Sequence, residues 1–263
     1  MELYEFEKAV SLYNDLFKTE NASFDVKALE NFQNISVNKE IARYLTLEKS
    51  TEKEVKAVTE KIEECITNLK NLLAIWTTGH RYALIASAYK RKAFVFGVDK
   101  KFQKEKLTAM ETSANNYFEA FQRASSSYPY CNWINMETFI HKIKNQNWGE
   151  TVSRNGKVYT LPTLVQINET LSKLEMESKQ NEDSPGYWEL TECLDILYCR
   201  YLLKPGDKTF KALKDTMEAL WSVGGSKNKR QKQIINLKIH AQFAEFAGMV
   251  EVHKKITEFL KEL

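Results

Sequence analysis

Turn-forming residues are scarce along this chain. Glycine occurs 9 times and proline 4 times among its 263 residues. Sheets and barrels need many tight turns, and glycine and proline are among the residues that form them most readily. We therefore expect long helices joined by few connections.

Apolar residues recur at steps of three and four along most of the sequence, which is the spacing of one face of a helix. Thr51 and Glu54 mark a helix start, because each side chain can accept a hydrogen bond from the backbone N–H of the other. Pro129 suits a first helical turn, where a backbone N–H has no partner inside the helix. The helices predicted in the first half of the chain cover residues 2–18, 23–45 with a cap at Ser23, 51–76, 80–96, about 102–127, and from 129 onwards.

The helical pattern is interrupted once. The segment TVSRNGKVYT, residues 151–160, alternates around Asn155-Gly156, a dipeptide that favours two-residue hairpin turns. Helices are predicted to resume after residues 160, 184, 207 and 226, and a last amphipathic helix covers 250–263. About ten helices in adjacent pairs with short links suggest either a bundle or a stacked solenoid.

One segment carries the spacing of the tetratricopeptide repeat (TPR), a unit of about 34 residues that forms a helix, a turn and a second helix. HRYALIASAYKRKA (80–93) matches the first helix, and FEAFQRASSSYPY (118–130) matches the end of the second and its terminating proline. The chain holds about 19 residues more between these helices than a standard repeat. Ser125 to Ser127 are then expected in the last turn of the second helix, without a catalytic role. The matching residues are Tyr82, Ile85, Ala86 and Tyr89, then Phe121, Ala124 and Pro129, with Tyr117 where a small residue is usual.

A second repeat is predicted from SPGYWELTECLDILYCRYLL onwards. Trp188 takes the bulky position of its first helix, and Ala212, Thr216 and Ala219 fit the second. In such repeats small residues let the paired helices approach closely, and aromatic residues fill the groove between one repeat and the next. Two matches in an all-helical chain favour the solenoid.

We therefore expect one all-α domain over residues 1–263, a TPR-like α-solenoid of antiparallel helix pairs with a small β-hairpin or loop inserted near 151–160. Within it the expected parts are N-terminal helices over 1–78, the best-matching repeat over 79–147, the insertion over 148–161 and C-terminal helices over 162–263.

On these motifs the chain resembles a divergent TPR family. The resemblance covers roughly residues 20–247. The segments that carry it are HRYALIASAYKRKA, Tyr128-Pro129 followed by Ile134-Asn135, SFDVKALENFQN (23–34) and YWEL (187–190). That family includes the TRAF-binding domain of apoptosis-signal-regulating kinases, and similar regions occur in bacterial TPR proteins fused to caspase-like or TIR effector domains. The resemblance implies a regulatory or scaffolding module that is part of a larger signalling or defence effector.

The sequence lacks the motifs HExxH, P-loop and GxSxG. Its four histidines lack the one-turn spacing of a helical metal site, and His240 is expected to pack inside an apolar helix. Cys131 and His141 would form a nucleophile and a base only if the fold brought them together. Cys193 and Cys199 are expected in the core. We therefore expect no catalytic residue, no cofactor and no bound metal.

Charge is nearly balanced, with 38 basic and 35 acidic residues, whereas a dedicated nucleic-acid-binding protein usually shows a stronger basic bias. Basic residues concentrate at 90–92, at 100–101 and in KNKRQK (227–232). The last cluster opens a predicted helix, where the helix dipole disfavours cations. The KNKRQK cluster therefore predicts a basic patch that binds a phosphate-bearing or acidic partner. The patch is formed by Lys227, Lys229, Arg230 and Lys232.

The N-terminal segment MELYEFEKAV carries acidic residues where a secretory signal would carry basic ones. No apolar run approaches the roughly 18 residues of a membrane span. The sequence thus predicts a cytoplasmic protein with no membrane partner, whose cysteines stay reduced.

The leading functional hypothesis is a non-catalytic scaffold that binds a protein or peptide, such as an effector domain of the same or another chain. Stacked helix pairs would form a concave face, contacted by a partner through the first helix of each pair. A nucleic-acid- or nucleotide-sensing domain that uses the basic clusters is the alternative, and a helical enzyme with a Cys or His residue is a third. The residues expected to contact a protein partner are Arg81, Ser87, Lys90 and Glu189.

Overall fold

The computed structural model describes residues 2–18, 25–47, 50–154, 156–178, 186–224 and 227–263, with the backbone alone for residues 2–4, 17, 157, 227 and 228. These residues form eleven α-helices, one single-turn 3-10 helix (Lys100–Phe102) and two strands. The helices are α1 (Glu2–Phe17), α2 (Val26–Leu45), α3 (Glu52–Ile75), α4 (Gly79–Val95), α5 (Gln103–Ala124), α6 (Ser127–Lys144), α7 (Leu164–Ser178), α8 (Tyr187–Leu203), α9 (Asp207–Gly224), α10 (Lys227–Phe246) and α11 (Val250–Glu262), and the strands are β1 (Thr151–Arg154) and β2 (Lys157–Thr160).

The predicted fold class is confirmed: the chain is all-α and TPR-like, with one small hairpin. Strands β1 and β2 pair antiparallel, with Thr151 opposite Thr160 and Arg154 opposite Lys157. Asn155 of the predicted turn lies outside the described residues. Gly156 has φ 76°, a left-handed conformation that glycine adopts without strain. None of the described helices is long and apolar enough to cross a membrane.

Helix starts follow the caps that the sequence offers. The predicted capping box opens α3, where Thr51 N donates to Glu54 Oε2 at 2.6 Å and Glu54 N donates to Thr51 Oγ1 at 3.3 Å. Ser23, the expected cap of α2, lies outside the described residues. Asp25 caps that helix, because its carboxylate accepts a hydrogen bond from Lys27 N at 3.0 Å.

The three serines before Pro129 form the junction between α5 and α6. The prediction that they lie in the last turn of α5 is wrong, because α5 ends at Ala124 and Ser125 has φ 41°. Ser126 is the N-cap residue of α6, and Ser127 is its first residue. Proline explains the break: a helix continued from α5 would press the Pro129 ring against the carbonyl of Ser125, four residues earlier.

Contacts divide the chain into two compact units, residues 1–124 and 125–263. In unit 1, α1 packs on α2, α2 on α3 and α4, α3 on α4, and α4 on α5. Apolar residues of α2 to α5 are buried between these helices, whereas Leu12 and Leu16 of α1 are exposed. The core of unit 1 includes Val37, Ile41, Val58, Ile62, Ile66, Leu69, Ile85, Met110, Ala114 and Tyr117.

Helices α4 and α5 are the two helices of the predicted repeat. They approach closely at Gly79, where an added Cβ would lie 3.0 Å from Ala120 O and 3.0 Å from Ala124 Cβ. Ser113 Oγ also donates to Ala86 O at 2.8 Å across the pair. The extra length of this repeat lies mainly in its helices, of 17 and 22 residues.

In unit 2, α8 packs on α6, α7 and α9, α10 packs on α11, and α10 also contacts α6. His240 is buried and stacks on Tyr198, with ring centroids 4.4 Å apart, and it also contacts Phe139. Its predicted packing in the core is therefore confirmed. The prediction of one domain over 1–263, with internal boundaries after residues 78, 147 and 161, stays a prediction.

Candidate functional site

Arg81 lies inside unit 1. Its Nε donates to Glu30 Oε1 at 2.5 Å, and its Nη1 donates to Leu72 O at 2.8 Å and to Trp76 O. These bonds tie the start of α4 to α2 and to the last turn of α3. The guanidinium therefore stabilises the packing of three helices.

Ser87 and Lys90 of α4 are buried as well. Ser87 Oγ accepts a hydrogen bond from Arg91, and Lys90 Nζ lies 5.9 Å from the ring centroid of Tyr117 on α5. Neither these two residues nor Arg81 is more than 6% exposed. The expected contact of all three with a partner stays a prediction, and the contacts seen in unit 1 are internal.

An aromatic and basic cluster lies in unit 2. Lys229 Nζ, at the start of α10, is 3.7 Å from the Tyr187 ring centroid and 5.4 Å from that of Trp188, at the start of α8. The two rings meet edge to face, with centroids 5.3 Å apart. A cation over aromatic faces is held by the negative charge density of the rings. The rings thus offset the unfavourable place of Lys229 at a helix N-terminus.

Arg230 extends this cluster towards α9. Its Cζ lies 4.9 Å from the Trp221 ring centroid, and its side chain is exposed. We call Tyr187, Trp188, Trp221, Lys229 and Arg230 the aromatic–basic surface. It contains two of the four residues of the predicted basic patch. Lys232 is exposed on the same helix, and the side chain of Lys227 lies outside the described residues.

Trp188 and Glu189 begin α8 within or next to this surface. Trp188 is 70% exposed, so it does not fill the groove between repeats that its sequence position predicts. Glu189 is half-buried, and its charge adds to burial in raising the pKa of Glu192. The structure therefore brings Glu189 and the KNKRQK cluster, which are about 40 residues apart in sequence, to elements that are in contact.

A buried carboxylate anchors the hairpin in unit 2. Glu137 of α6 accepts hydrogen bonds from Arg154 Nη1 at 2.5 Å, from Tyr159 OH at 3.1 Å and from Trp133 Nε1 at 3.3 Å. Arg154 Nη2 also donates to Gln146 Oε1 at 3.0 Å. Burial raises the pKa of Glu137, and Arg154 opposes that shift. Burial and the Glu137 charge raise the pKa of Tyr159.

This network was not predicted from the sequence. The signal for it is the carboxylate itself, because 14 of the 18 residues of α6 are buried, Glu137 among them, and a buried charge needs a partner. The partner, Arg154, comes from the inserted hairpin, whose position the sequence pattern does not give.

A cavity of about 520 Å³ lies beside the network, between α6, the segment that follows it, and the ends of α7 and α8. His141 contributes to its wall and contacts Trp148, with ring centroids 4.2 Å apart. Burial, and then the charge of Arg154, lowers the pKa of His141 to about 4. The imidazole is therefore neutral near pH 7. The lining residues are Thr138, His141, Lys142, Asn145, Gln146, Asn147, Trp148, Leu164, Leu202 and Leu203.

The fold does not bring Cys131 and His141 together. Both lie on α6, ten residues apart, which corresponds to about 15 Å along a helix axis. Burial raises the pKa of the Cys131 thiol, and the neighbouring Cys199 thiol raises it further. All four cysteines are free, with Cys199 buried and Cys193 half-buried. In the described part of the chain, no group of three His, Cys, Asp or Glu side chains could hold a metal ion.

The family model described as Tetratricopeptide Repeats-Sensor (TPR-S) matches residues 5–137. This range contains most of α1, all of α2 to α5 and the first part of α6, about half of the chain. The comparisons with curated proteins and with solved structures give no match.

Proposed function

Because the chain belongs to the Tetratricopeptide Repeats-Sensor family, it is a repeat-type module for interaction or sensing, and we propose that it binds a protein partner without catalysing a reaction. The observation that carries this proposal is the aromatic–basic surface, where Trp188 is 70% exposed beside Lys229 and where Arg230 lies against Trp221. The partner class is an acidic protein segment with an apolar anchor. An effector domain, of this protein or another, would meet that description.

The exposed Trp188 ring supports a protein partner. Tryptophan and arginine are among the residues that most often carry the binding energy of protein interfaces, and the indole buries a large area with few rotatable bonds. Covering the indole removes apolar surface from water, which is worth about 25 cal/mol for each Å². A partner side chain packed on Trp188 would gain this free energy.

The cations of α10 support an acidic partner. Arg230 and Lys232 are exposed, and Lys229 already lies against two rings. Opposite charges across an interface speed association and exclude like-charged competitors. Glu189 reduces the local positive charge, so we expect a partner of moderate rather than high acidity.

Absence of catalysis remains part of the proposal. Cys131, the cysteine considered as a nucleophile, keeps its proton because its pKa is raised, and the thiolate is the reactive form. The four free thiols also support a reducing compartment, and we place the protein in the cytoplasm on that ground.

The test compares partner capture by the wild-type chain with capture by Trp188→Ala and Trp76→Ala. Trp76 is a matched control, since it is 73% exposed, belongs to unit 1 and is not one of the residues of the aromatic–basic surface. The proposal requires a discrete protein, retained at high salt, that Trp188→Ala loses and Trp76→Ala keeps. Equal capture by both variants would remove the aromatic–basic surface from the proposal.

A single-stranded nucleic acid is the second candidate partner. The specific observation is the exposed Trp188 indole beside Lys229, at the start of a helix that also carries Arg230 and Lys232, because bases stack on aromatic rings while lysine and arginine follow the phosphates. Fluorescence anisotropy with labelled oligo(dT) and oligo(rU) tests it directly. Binding that weakens steeply with salt and is lost in Trp188→Ala would favour nucleic acid, and no binding at low salt would dismiss it.

A further inference from the structure

Two leucines on the outer side of α1 are exposed to water. Leu12 is 61% exposed and Leu16 is 47% exposed, and both belong to a helix of 16 residues. Residues four apart lie on the same face of a helix, so the two side chains form one apolar strip. Covering that strip is favourable in proportion to the apolar area that is removed from water.

The strip points away from α2, the helix on which α1 packs. Phe6, Val10 and Tyr13 of α1 are half-buried, and the Tyr13 ring contacts Phe32 of α2 with centroids 5.7 Å apart. Successive residues of a helix are turned by about 100°, which places both leucines on the side opposite these three residues. The packing of α1 on α2 therefore leaves the strip available to another surface.

Charged side chains flank the leucines in an alternating order. Glu5 and Lys8 precede Leu12, while Asp15 and Lys18 follow it, and all four charged residues are exposed. Glu5, Lys8 and Asp15 share the leucine face within about 100° of helix surface. Lys18 directly follows the helix, and its Nζ lies 3.9 Å from Asp15 Oδ1. The exposed residues on one flank of this face are Glu7, Ser11 and Asn14.

This order of charges is complementary to itself when the helix is reversed. Along α1 the face presents an acid, a base, a leucine, an acid and then a base. Against an antiparallel second copy, Glu5 faces Lys18 and Lys8 faces Asp15, because both pairs are centred on the same point beside Leu12. A parallel arrangement sets every charge against an identical one, which is unfavourable. The charges therefore select a second, antiparallel copy of the same helix.

From this geometry we propose that two copies of the chain associate through α1, antiparallel about a two-fold axis beside Leu12. Leu12 packs on its counterpart, and Leu16 packs on the aliphatic part of Lys8 of the second copy. A two-fold axis brings the same surface of both copies together, so each of the two ion pairs occurs twice. The interface shares no residue with the aromatic–basic surface and does not rest on the function proposed for it.

The proposed dimer is weak, because its interface is small. Two helices of 16 residues bury less than the roughly 1,600 Å² of a standard interface. Exposed ion pairs contribute little, so most of the free energy comes from the leucines. We expect a Kd on the order of 100 μM, measured by sedimentation velocity of the full chain from about 5 to 500 μM. A sedimentation coefficient that does not rise over this range would overturn the proposal.

Leu12→Ser tests the apolar part of the interface. We expect its Kd for self-association to rise by about tenfold, because the leucine on the axis is removed from both copies. Ile75→Ser is the control, since Ile75 is 80% exposed and belongs to the same unit, and it should leave the Kd unchanged. Both positions are exposed, so neither substitution removes core packing. A Kd for Leu12→Ser no higher than that of Ile75→Ser would contradict the proposal.

Single charge reversals test the antiparallel arrangement. Lys8→Glu sets a glutamate against Asp15 at both ends of the dimer, and Asp15→Lys sets a lysine against Lys8 at both ends. We expect each variant alone to raise the Kd by about tenfold at low ionic strength, where exposed charges are least screened. A Kd equal to that of the wild-type chain in both variants would show that these charges do not meet.

Mixing the two variants restores the opposite charges at both ends. Lys8→Glu with a C-terminal fluorophore, titrated with Asp15→Lys, should bind with a Kd close to that of the wild-type chain. Titration with unlabelled Lys8→Glu is the control and should give the weaker binding of like charges. Equal binding of the labelled chain to both would refute the antiparallel register. Trp188→Ala should leave self-association unchanged, so the two proposals fail independently.

Discussion

At the scale of single residues, Glu137 and Arg154 decide where the inserted hairpin lies. Both side chains are almost completely buried, and the carboxylate accepts hydrogen bonds from the hairpin through Arg154 and Tyr159. A buried ion pair of this kind is weak evidence for net stability, because desolvation offsets the attraction between the charges. Replacing only one of the two residues is strongly destabilising, because the charge of the other residue stays buried without a partner.

We expect Arg154→Met to lower the free energy of unfolding by about 3–5 kcal/mol, because Glu137 is left buried without its cation. The double variant Glu137→Gln with Arg154→Met should recover part of that loss. Urea titration measures all three. Lys61→Ala is the control, because Lys61 and Glu64 form a solvent-exposed pair, and such pairs contribute little to stability. A loss for Arg154→Met no larger than that of Lys61→Ala would contradict the role given to this pair.

His141 makes stability depend on pH in a predictable direction. Its pKa falls from 6.5 to about 4 in the folded chain, so the unfolded chain binds the proton first as the pH decreases. The contribution of His141 is complete above pH 6.5 and is lost progressively as the pH falls towards about 4.

Between pH 7 and pH 5 we expect His141 to reduce the free energy of unfolding by at most about 2 kcal/mol. The difference between wild type and His141→Phe in urea titrations at the two pH values isolates this share from other titrating groups. An equal pH dependence of the two proteins would show that His141 titrates normally.

At the scale of elements, helix caps and helix periods were predictable because their signals are local. Thr51 and Glu54 fix the start of α3 within four residues, and the same signature at Thr163 and Gln166 opens α7. The link between α5 and α6 was predicted less well. Its serines are compatible with the last turn of α5 by propensity. Pro129 excludes a helix that continues from α5, so the serines lie at the junction with α6.

The α4–α5 pair offers a test of element packing. Gly79→Ala would place a Cβ 3.0 Å from a backbone carbonyl and 3.0 Å from Ala124 Cβ, so the helices must move apart. We expect a loss of about 1–3 kcal/mol in the free energy of unfolding, measured by urea titration.

The matched control for that substitution is Gly206→Ala, where the nearest atom to the new Cβ is Thr209 Oγ1 at 3.8 Å. Its effect should stay within about 1 kcal/mol, because alanine reduces the freedom of the unfolded chain but is less favourable than glycine at the N-cap of α9. If Gly79→Ala behaved like this control, the close approach of α4 and α5 would not matter for stability.

At the scale of the whole molecule, the sequence predicts the all-α class but not the sites. The scarcity of turn residues and the helical spacing of apolar residues can be read along most of the chain. The fold class can therefore be predicted without knowing which distant residues pack together. Trp188 shows what the sequence does not predict. Its position in the repeat predicts a core residue, but the residue is exposed, because exposure depends on which helices pack around it. The contact of Arg154 with Glu137 likewise depends on a hairpin folding back on α6, which no local pattern encodes.

The division into residues 1–124 and 125–263 gives the last prediction. Unit 1 has its own core around Ile62, Ile85 and Tyr117, and the family match covers nearly all of it. We expect the fragment 1–124 to fold alone, with a cooperative thermal transition and a helical circular dichroism spectrum. A fragment of 1–110 is the control, because it lacks the part of α5 that lies against Gly79 and contains Tyr117. If neither fragment unfolds cooperatively, the chain folds as the one domain that its sequence predicts. Cooperative unfolding of 1–124 alone would show that the repeat is a folding unit and that the cavity and the aromatic–basic surface belong to a separate one.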